Sequence, residues 1–324
     1  MTVSIIIPTY NAAPFVARAL HAALRAGTQV GTAWEVIVVD DGSTDQTVTT
    51  VERIARQYPE HVQLIRCPHR GAPAARNAGV ARSRGEWLQF LDADDVITDR
   101  KISHQLALSG SAQWVVGAYQ HRYLDGSTEE VLPHPDLWRG LFHNFRTGHT
   151  ISNLLRRTAF DSIGGWDETL ASNQDPDLAF RLLRAGTPYV LDEAINSYYL
   201  HHDGPDRIIH RDAAGRLHRR VTMLGQANDY LYRHRHPYWQ QHAPFFLGAL
   251  LRAIRMEATH DLPAAVVHYH GYFGTAGRYN HTINFDLVPQ YTRLYPYLGF
   301  RNLERLRLAL AGILPPAIKR LAKQ

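Results

Sequence analysis

The chain has 324 residues, 45% of them apolar and 20% charged, with a formal net charge of +5 and a single cysteine. That length can bury a full core, as one large domain or two smaller ones, while the lone Cys67 excludes a disulfide framework and any cysteine-based zinc site. A pI near 9.3 permits an anionic partner without requiring nucleic acid, and no apolar stretch approaches the roughly 18–20 residues of a membrane-spanning helix.

The first apolar run, Val3 to Ile7, has no basic segment before it and stops at Pro8, so no secretory leader is expected. Its β-branched residues predict a strand buried on both faces. A helix pattern follows from about Pro14 to Arg25, then a second strand, Glu35 to Val39, that stops at Asp40-Asp41-Gly42-Ser43. A helix from about Thr44 to Gln57, a strand from Val62 to Ile65, a helix from Ala72 to Arg82 and a strand from Trp87 to Leu91 complete the first hundred residues. Strands interleaved with helices imply right-handed crossovers and a largely parallel, Rossmann-like sheet flanked by helices.

After Arg100 the rhythm loosens. Trp114 to Tyr123 and the stretch after Asp125-Gly126 read as a hairpin, Ile151 to Leu155 as a strand, and Thr158 to Ile163 as a short helix. Asp177 to Ala185 reads as a helix closed by Gly186, and Ile195 to Leu200 as a last strand. Asp175 before Pro176 has the pattern of an N-cap with proline at N1. Beyond about 205 the pattern is helical and basic, so residues 205–324 are expected to form an appended helical region. Residues 1–200 hold 18 Lys and Arg against 22 Asp and Glu, whereas residues 201–324 hold 17 against 8.

In an open parallel sheet, ligands bind at the carboxyl ends of the strands. Three polar segments are expected there: Pro8-Thr9-Tyr10-Asn11, Asp40-Asp41-Gly42-Ser43 and Asp92-Ala93-Asp94-Asp95. None is a Gly-x-Gly-x-x-Gly fingerprint or a phosphate loop ending in Gly-Lys, which disfavours a dehydrogenase or a P-loop enzyme. Three carboxylates in four residues repel one another unless cations or donors surround them. Hard divalent ions take such carboxylates together with phosphate oxygens; the plainer alternative is a loop that caps the next helix.

Taken in order and spacing, these segments resemble the family 2 glycosyltransferases of the GT-A fold. The resemblance runs from Val3 through Asn11, from Glu35 through Asp45, from Gly71 through Gly79 and from Gly85 through Asp95. It continues through Ile163-Gly164-Gly165-Trp166-Asp167 and Asp175 to Leu182, and fades after about 205. It implies a GT-A domain over 1–204, with a nucleotide-sugar part at about 1–100 and an acceptor part at about 101–204. It also implies a nucleotide-sugar donor, with UDP the expected nucleotide, a Mn²⁺ or Mg²⁺ cofactor, and an inverting displacement by a hydroxyl of a glycan or lipid-linked acceptor.

Carried over by position, Pro8, Thr9, Tyr10 and Asn11 would line the nucleotide pocket and Asp40 would hold the base. Arg76 and Asp92 would lie beside the nucleotide, ribose or diphosphate. Asp94 would ligate the metal, with His202 completing the metal or diphosphate contacts, and Asp175 would be the catalytic base. One departure stands out: the family commonly has an acid before this Asp, and here it is Gln174. The rival readings are a nucleotidyltransferase that makes the activated sugar and a non-catalytic scaffold that binds it.

Two features of the second half stand apart. His268-Tyr269-His270 spaces two imidazoles like a zinc pair but shows no third ligand in register, and reads as surface or packing. Residues 301–324 hold six Lys and Arg against one Asp or Glu around an apolar stripe. That is the pattern of a helix lying on an anionic membrane surface, or packed on protein. The expected location is the cytoplasm, with peripheral attachment to the inner face of the membrane as the stronger version of that reading; the oligomeric state is not legible.

Overall fold

The computed structural model describes residues 2–202, 212–274, 277, 279 and 290–313. The chain divides into two compact units, Met1–Pro205 and Asp206–Gln324.

The first unit begins with strands β1 (Thr2–Thr9), β2 (Ala33–Asp40), β3 (Val62–Arg66) and β4 (Trp87–Phe90), alternating with helices α1 (Val16–Thr28), α2 (Thr47–Ala55) and α3 (Ala72–Arg82). Then come β5 (Val96–Ile97), α4 (Lys101–Ser109), β6 (Trp114–Gly117), β7 (Tyr119–Arg122), β8 (Thr128–Val131), α5 (Leu137–Phe142) and β9 (Leu154–Arg156). Helices α6 (Arg157–Ser162) and α7 (Gln174–Arg184) and strands β10 (Tyr189–Asp192) and β11 (Ser197–Leu200) complete the unit.

The main sheet has seven strands in the order β10-β6-β9-β4-β1-β2-β3, and only β9 runs antiparallel to its neighbours. A smaller sheet has the order β5-β11-β7-β8. The expected hairpin after Trp114 is thus divided: β6 joins the main sheet, whereas β7 and β8 pair antiparallel in the smaller one.

Val3, Ile5, Ile6 and Ile7 of β1 and Val36 through Val39 of β2 are fully buried, as strands covered on both faces must be. β1 does not stop at Pro8 but runs through it to Thr9. The Ile6 carbonyl accepts from Leu91 on the β4 side, so Pro8, two residues on, faces that side too. The β1–β4 pairing ends at Ile6 and Phe90, so the missing Pro8 N–H leaves no ladder bond unmade.

Helix α3 lies close against β1 and β2 because position 79 is glycine. A Cβ there would stand 2.6 Å from Ile6 Cγ2 and 3.1 Å from Val39 Cγ2. Helix α7 begins differently from expectation. Its N-cap is Asn173, held at φ +60°, and Asp175 sits inside the first turn rather than capping it. Asparagine tolerates the left-handed region, so the chain turns into the helix two residues earlier than the Asp-Pro pattern suggested. Lys101 is fully buried and holds two segments together, donating to Gln89 Oε1 in β4 and to the Asn153 carbonyl before β9. Burial pushes its ammonium well below the ordinary 10.5, and Asp192 only partly opposes this.

The second unit is helical: α8 (Ala213–His234), α9 (His236–Glu257), α10 (Leu262–Phe273), a 3₁₀ turn (Gln290–Leu294), α11 (Tyr295–Leu298) and α12 (Phe300–Ile313). Leu217, Val221, Leu224 and Leu231 form the buried stripe of α8. Asp212 and Asp261 cap α8 and α10 by accepting from Gly215 and Ala264. Of the expected basic helix, residues 314–324 lie outside the described residues.

Candidate active site

The parallel order of β2, β1 and β4 brings their carboxyl ends side by side, and the acidic segments follow from there. At the first end, Thr9 is buried and its hydroxyl donates to the Val39 carbonyl at 3.4 Å. Asn11, at φ +47°, accepts from Thr44 N–H at 2.9 Å through its side chain and donates from its backbone to Ser43 Oγ at 2.9 Å. These bonds fix the β1 loop to the β2 loop.

The two adjacent aspartates after β2 have different tasks. Asp41 receives the N–H groups of Arg70 and Gly71, each at 2.8 Å, and the His69 ring at 2.9 Å. It thereby fixes the entry to α3 and sets His69 against Tyr10, with ring centroids 4.1 Å apart. Asp40 is 2% exposed and spends one oxygen on Ser43 N–H at 3.2 Å. Its Oδ1 is buried with no hydrogen-bond partner among the described residues. Buried acceptors are seldom left unmet, and an N–H or hydroxyl of a ligand would satisfy this one.

Arg76, on α3, is 5% exposed. It donates to Asp92 Oδ1 at 2.6 Å and to Gln174 Oε1 at 2.9 Å, and its guanidinium lies 4.8 Å from the Trp166 ring centre. Burial alone would raise the Asp92 carboxyl. The Arg76 charge, then His149, outweigh burial and hold it below the ordinary carboxylate value. Asp92 is therefore anionic at neutral pH.

The acidic loop is divided between two groupings. Asp94 Oδ2 lies 3.0 Å from His202 Nε2, just past β11, and the Asp94 carbonyl accepts from Arg18 at 2.9 Å. Asp92, Asp95 and His149 bring one ligand atom each within 4.8 Å of one another. His149 Nδ1 is buried with no partner among the described residues. Oxygen-rich sets with one imidazole suit a small hard divalent cation, so these residues fit the ion that the acidic loop implies.

Asp175 Oδ1 accepts the Thr150 hydroxyl. Burial, and then the Asp175 charge, push the nearby Tyr119 phenol up from its ordinary value. Asp175 also borders a small interior void of about 10 Å³. That volume holds one water at most, so it is not a substrate cleft.

The residues singled out from sequence thus fall into linked clusters. Pro8 through Asn11 and Asp40 share the β1–β2 loops, Arg76 pairs with Asp92, and Asp94 with His202. Asp175 joins the Arg76–Asp92 pair through its neighbour Gln174. His149, Thr150 and the anchoring role of Asp41 were missed. Residues 149 and 150 carry no periodicity and no motif, and only the fold brings them to the acidic loop and to α7.

Fold and site together define an α/β domain of the GT-A class. Residues 4–164 belong to glycosyl transferase family 2, whose model they match. A Rickettsia felis protein named "Uncharacterized glycosyltransferase" is 32% identical over 210 residues, which is 60% of this chain and 33% of the relative, so the match spans about a third of that protein's length. The succinoglycan biosynthesis protein ExoO of Rhizobium meliloti is 33% identical over 139 residues, 42% of this chain and 38% of ExoO. Among solved structures, S. aureus TarS 1-349 in complex with UDP-GlcNAc aligns over 83% of this chain and 84% of its own, with TM-score 0.55 and 16% identity. The mannosyltransferase PcManGT of Pyrobaculum calidifontis, in complex with GDP-Man and Mn²⁺, aligns over 96% and 86%, with TM-score 0.53 and 19% identity. At those identities the likeness is one of fold.

Proposed function

We propose that the chain transfers a sugar, with inversion, from a nucleoside diphosphate donor to a hydroxyl of a glycan or lipid-linked acceptor. The observation that carries this reading is the bonded series Asp92–Arg76–Gln174, with Asp175 next in sequence. It ties a residue of donor type to a carboxylate of base type through one guanidinium.

In this reading Asp40 receives a donor hydrogen from the base, and the Tyr10–His69 stack supports that end of the nucleotide. UDP is the expected nucleotide. Asp94 and His202 would hold Mn²⁺ or Mg²⁺, and Asp92, Asp95 and His149 form a second group of possible ligands. Such an ion would supply positive charge against the departing diphosphate. Arg76 adds a fixed positive charge on the same side. Asp175 accepts the proton of the acceptor hydroxyl as that oxygen attacks the anomeric carbon and the bond to the diphosphate breaks. The Thr150 hydroxyl engages one carboxylate oxygen and orients the other. The protein works in the cytoplasm, at the inner face of the membrane where a lipid-linked acceptor would be held.

A panel of nucleotide sugars with Mn²⁺ or Mg²⁺ tests the reading. Release of a nucleoside diphosphate is expected, whereas pyrophosphate release would identify a nucleotidyltransferase, and binding without turnover a scaffold. Asp175→Asn should lower kcat by about 10²- to 10⁴-fold with donor affinity kept. Asp94→Ala should abolish metal-dependent donor binding. Full transfer by Asp175→Asn would remove it from the base role.

A further inference from the structure

We propose that His218, Glu257 and His268 form a transition-metal site, of zinc type, that clips three helices of the second unit together. His218 comes from α8, Glu257 is the last residue of α9, and His268 lies on α10. His218 Nδ1 is 3.0 Å from Glu257 Oε1 and His268 Nδ1 is 2.7 Å from Glu257 Oε2. The two imidazole rings have centroids 4.8 Å apart. One ligand atom from each residue falls within a 4.8 Å cluster.

The argument starts from Glu257, whose side chain is 0% exposed. It sits at a helix C-terminus, where the macrodipole already opposes negative charge. A buried carboxylate in that position needs a cation. Yet no Lys or Arg pairs with it among the described residues. Arg255, two residues earlier, is turned to Glu304 at 3.2 Å. Arg219, next to His218, is committed to Asp212 at 3.0 Å. What converges on Glu257 is two imidazoles, each presenting a nitrogen to a different carboxylate oxygen.

Two imidazole nitrogens and one carboxylate are a recurrent zinc donor set. They are a poor set for Mg²⁺ or Ca²⁺, which prefer oxygen throughout. With bonds of about 2.0–2.2 Å, ligand atoms on a tetrahedral zinc stand roughly 3.3 Å apart. Against that spacing the 3.0 Å gap at His218 needs to open by about 0.3 Å and the 2.7 Å gap at His268 by about 0.6 Å. His218 is free to shift because its side chain is 55% exposed, whereas His268, at 16%, needs a small rotation of its ring. The same exposure provides the entry path and a fourth position for water. On binding, each neutral imidazole coordinates through Nδ1 and keeps its proton on Nε2, and the carboxylate stays ionised. The i, i+2 spacing of His268 and His270 is irrelevant to the site: His268 takes its partners from two other helices.

The test uses the full chain, stripped with chelator and then titrated with Zn²⁺. Metal content after buffer exchange, binding isotherms and thermal melts are read in parallel, together with the visible absorption of the Co²⁺-loaded form. Asp94→Ala is included to separate this site from the acidic loop. About one zinc per chain should be retained in both the unaltered protein and Asp94→Ala. His218→Ala and Glu257→Gln should each weaken zinc at least tenfold and abolish both the zinc-dependent rise in Tm and the Co²⁺ absorption. Glu257 is buried, so should Glu257→Gln fail to fold, His218→Ala, at an exposed position, decides alone. Equal zinc affinity in the unaltered protein and His218→Ala, or no retained zinc, would overturn the proposal and leave a carboxylate hydrogen-bonded by two histidines.

Discussion

Gln174 stands where the resemblance to family 2 glycosyltransferases implies an acid. Its amide oxygen accepts from Arg76 at 2.9 Å, the same guanidinium that meets Asp92 at 2.6 Å. A carboxylate there would keep the hydrogen bond but add a second negative charge against Arg76. The pair Arg76–Asp92 is neutral as a unit, so that extra charge would be felt by any diphosphate placed beside it. Gln174→Glu should therefore weaken donor binding by about fivefold or more, roughly 1 kcal/mol at a partly buried site, while leaving the melting temperature within a degree or two. A donor titration of both proteins by calorimetry checks it. Unchanged affinity would show that Arg76 is spent on Asp92 and does not face the donor.

At the scale of elements, α3 is the part that aims Arg76, and Gly79 sets how close α3 comes to the sheet. Gly79→Ala gains helix propensity of about 1 kcal/mol but drives a methyl to 2.6 Å from Ile6. Overpacking of this kind typically costs about 1–3 kcal/mol, so a lower denaturation midpoint is expected, with Arg76 displaced and donor KM raised. An unaltered midpoint and KM would mean that the helix shifts freely. This helix was legible from sequence to the residue, as were β1 to β4 in order, because their burial is written as runs of β-branched residues and glycine or aspartate stops. Several later elements were not. α5, β5 and β10 have too few residues to show a period, and α4, though as long as α2, is placed by partners far along the chain, as where Lys101 reaches Asn153. The candidate site divides in the same way. The strand-end residues announce themselves as motifs, whereas His149 and Thr150 depend on tertiary packing alone. Asp175 was legible as a residue but not as a position in its helix, because Asn173 in the left-handed region takes the cap.

Over the whole molecule, the net charge of +5 equals that of residues 301–324 alone, with the other 300 residues balanced. The described part of that segment exposes Leu306 and Leu310 together with Arg301 and Arg305, and Tyr297 and Leu298 just before it are 83% and 52% exposed. Apolar side chains bordered by arginines match an anionic lipid surface, where insertion of the first and attraction of the second add. No helix among the described residues is long and apolar enough to cross a membrane, so attachment of this kind would be peripheral. The protein should sediment with vesicles containing phosphatidylglycerol, remain in solution with phosphatidylcholine alone, and dissociate as salt is raised, because each basic residue near the surface contributes about 1 kcal/mol that screening removes. Replacing Arg301 and Arg305 by glutamate should weaken that binding by tenfold or more while sparing transfer to a soluble acceptor. Equal sedimentation with neutral and anionic vesicles, or none with either, would instead assign these exposed side chains to a protein surface.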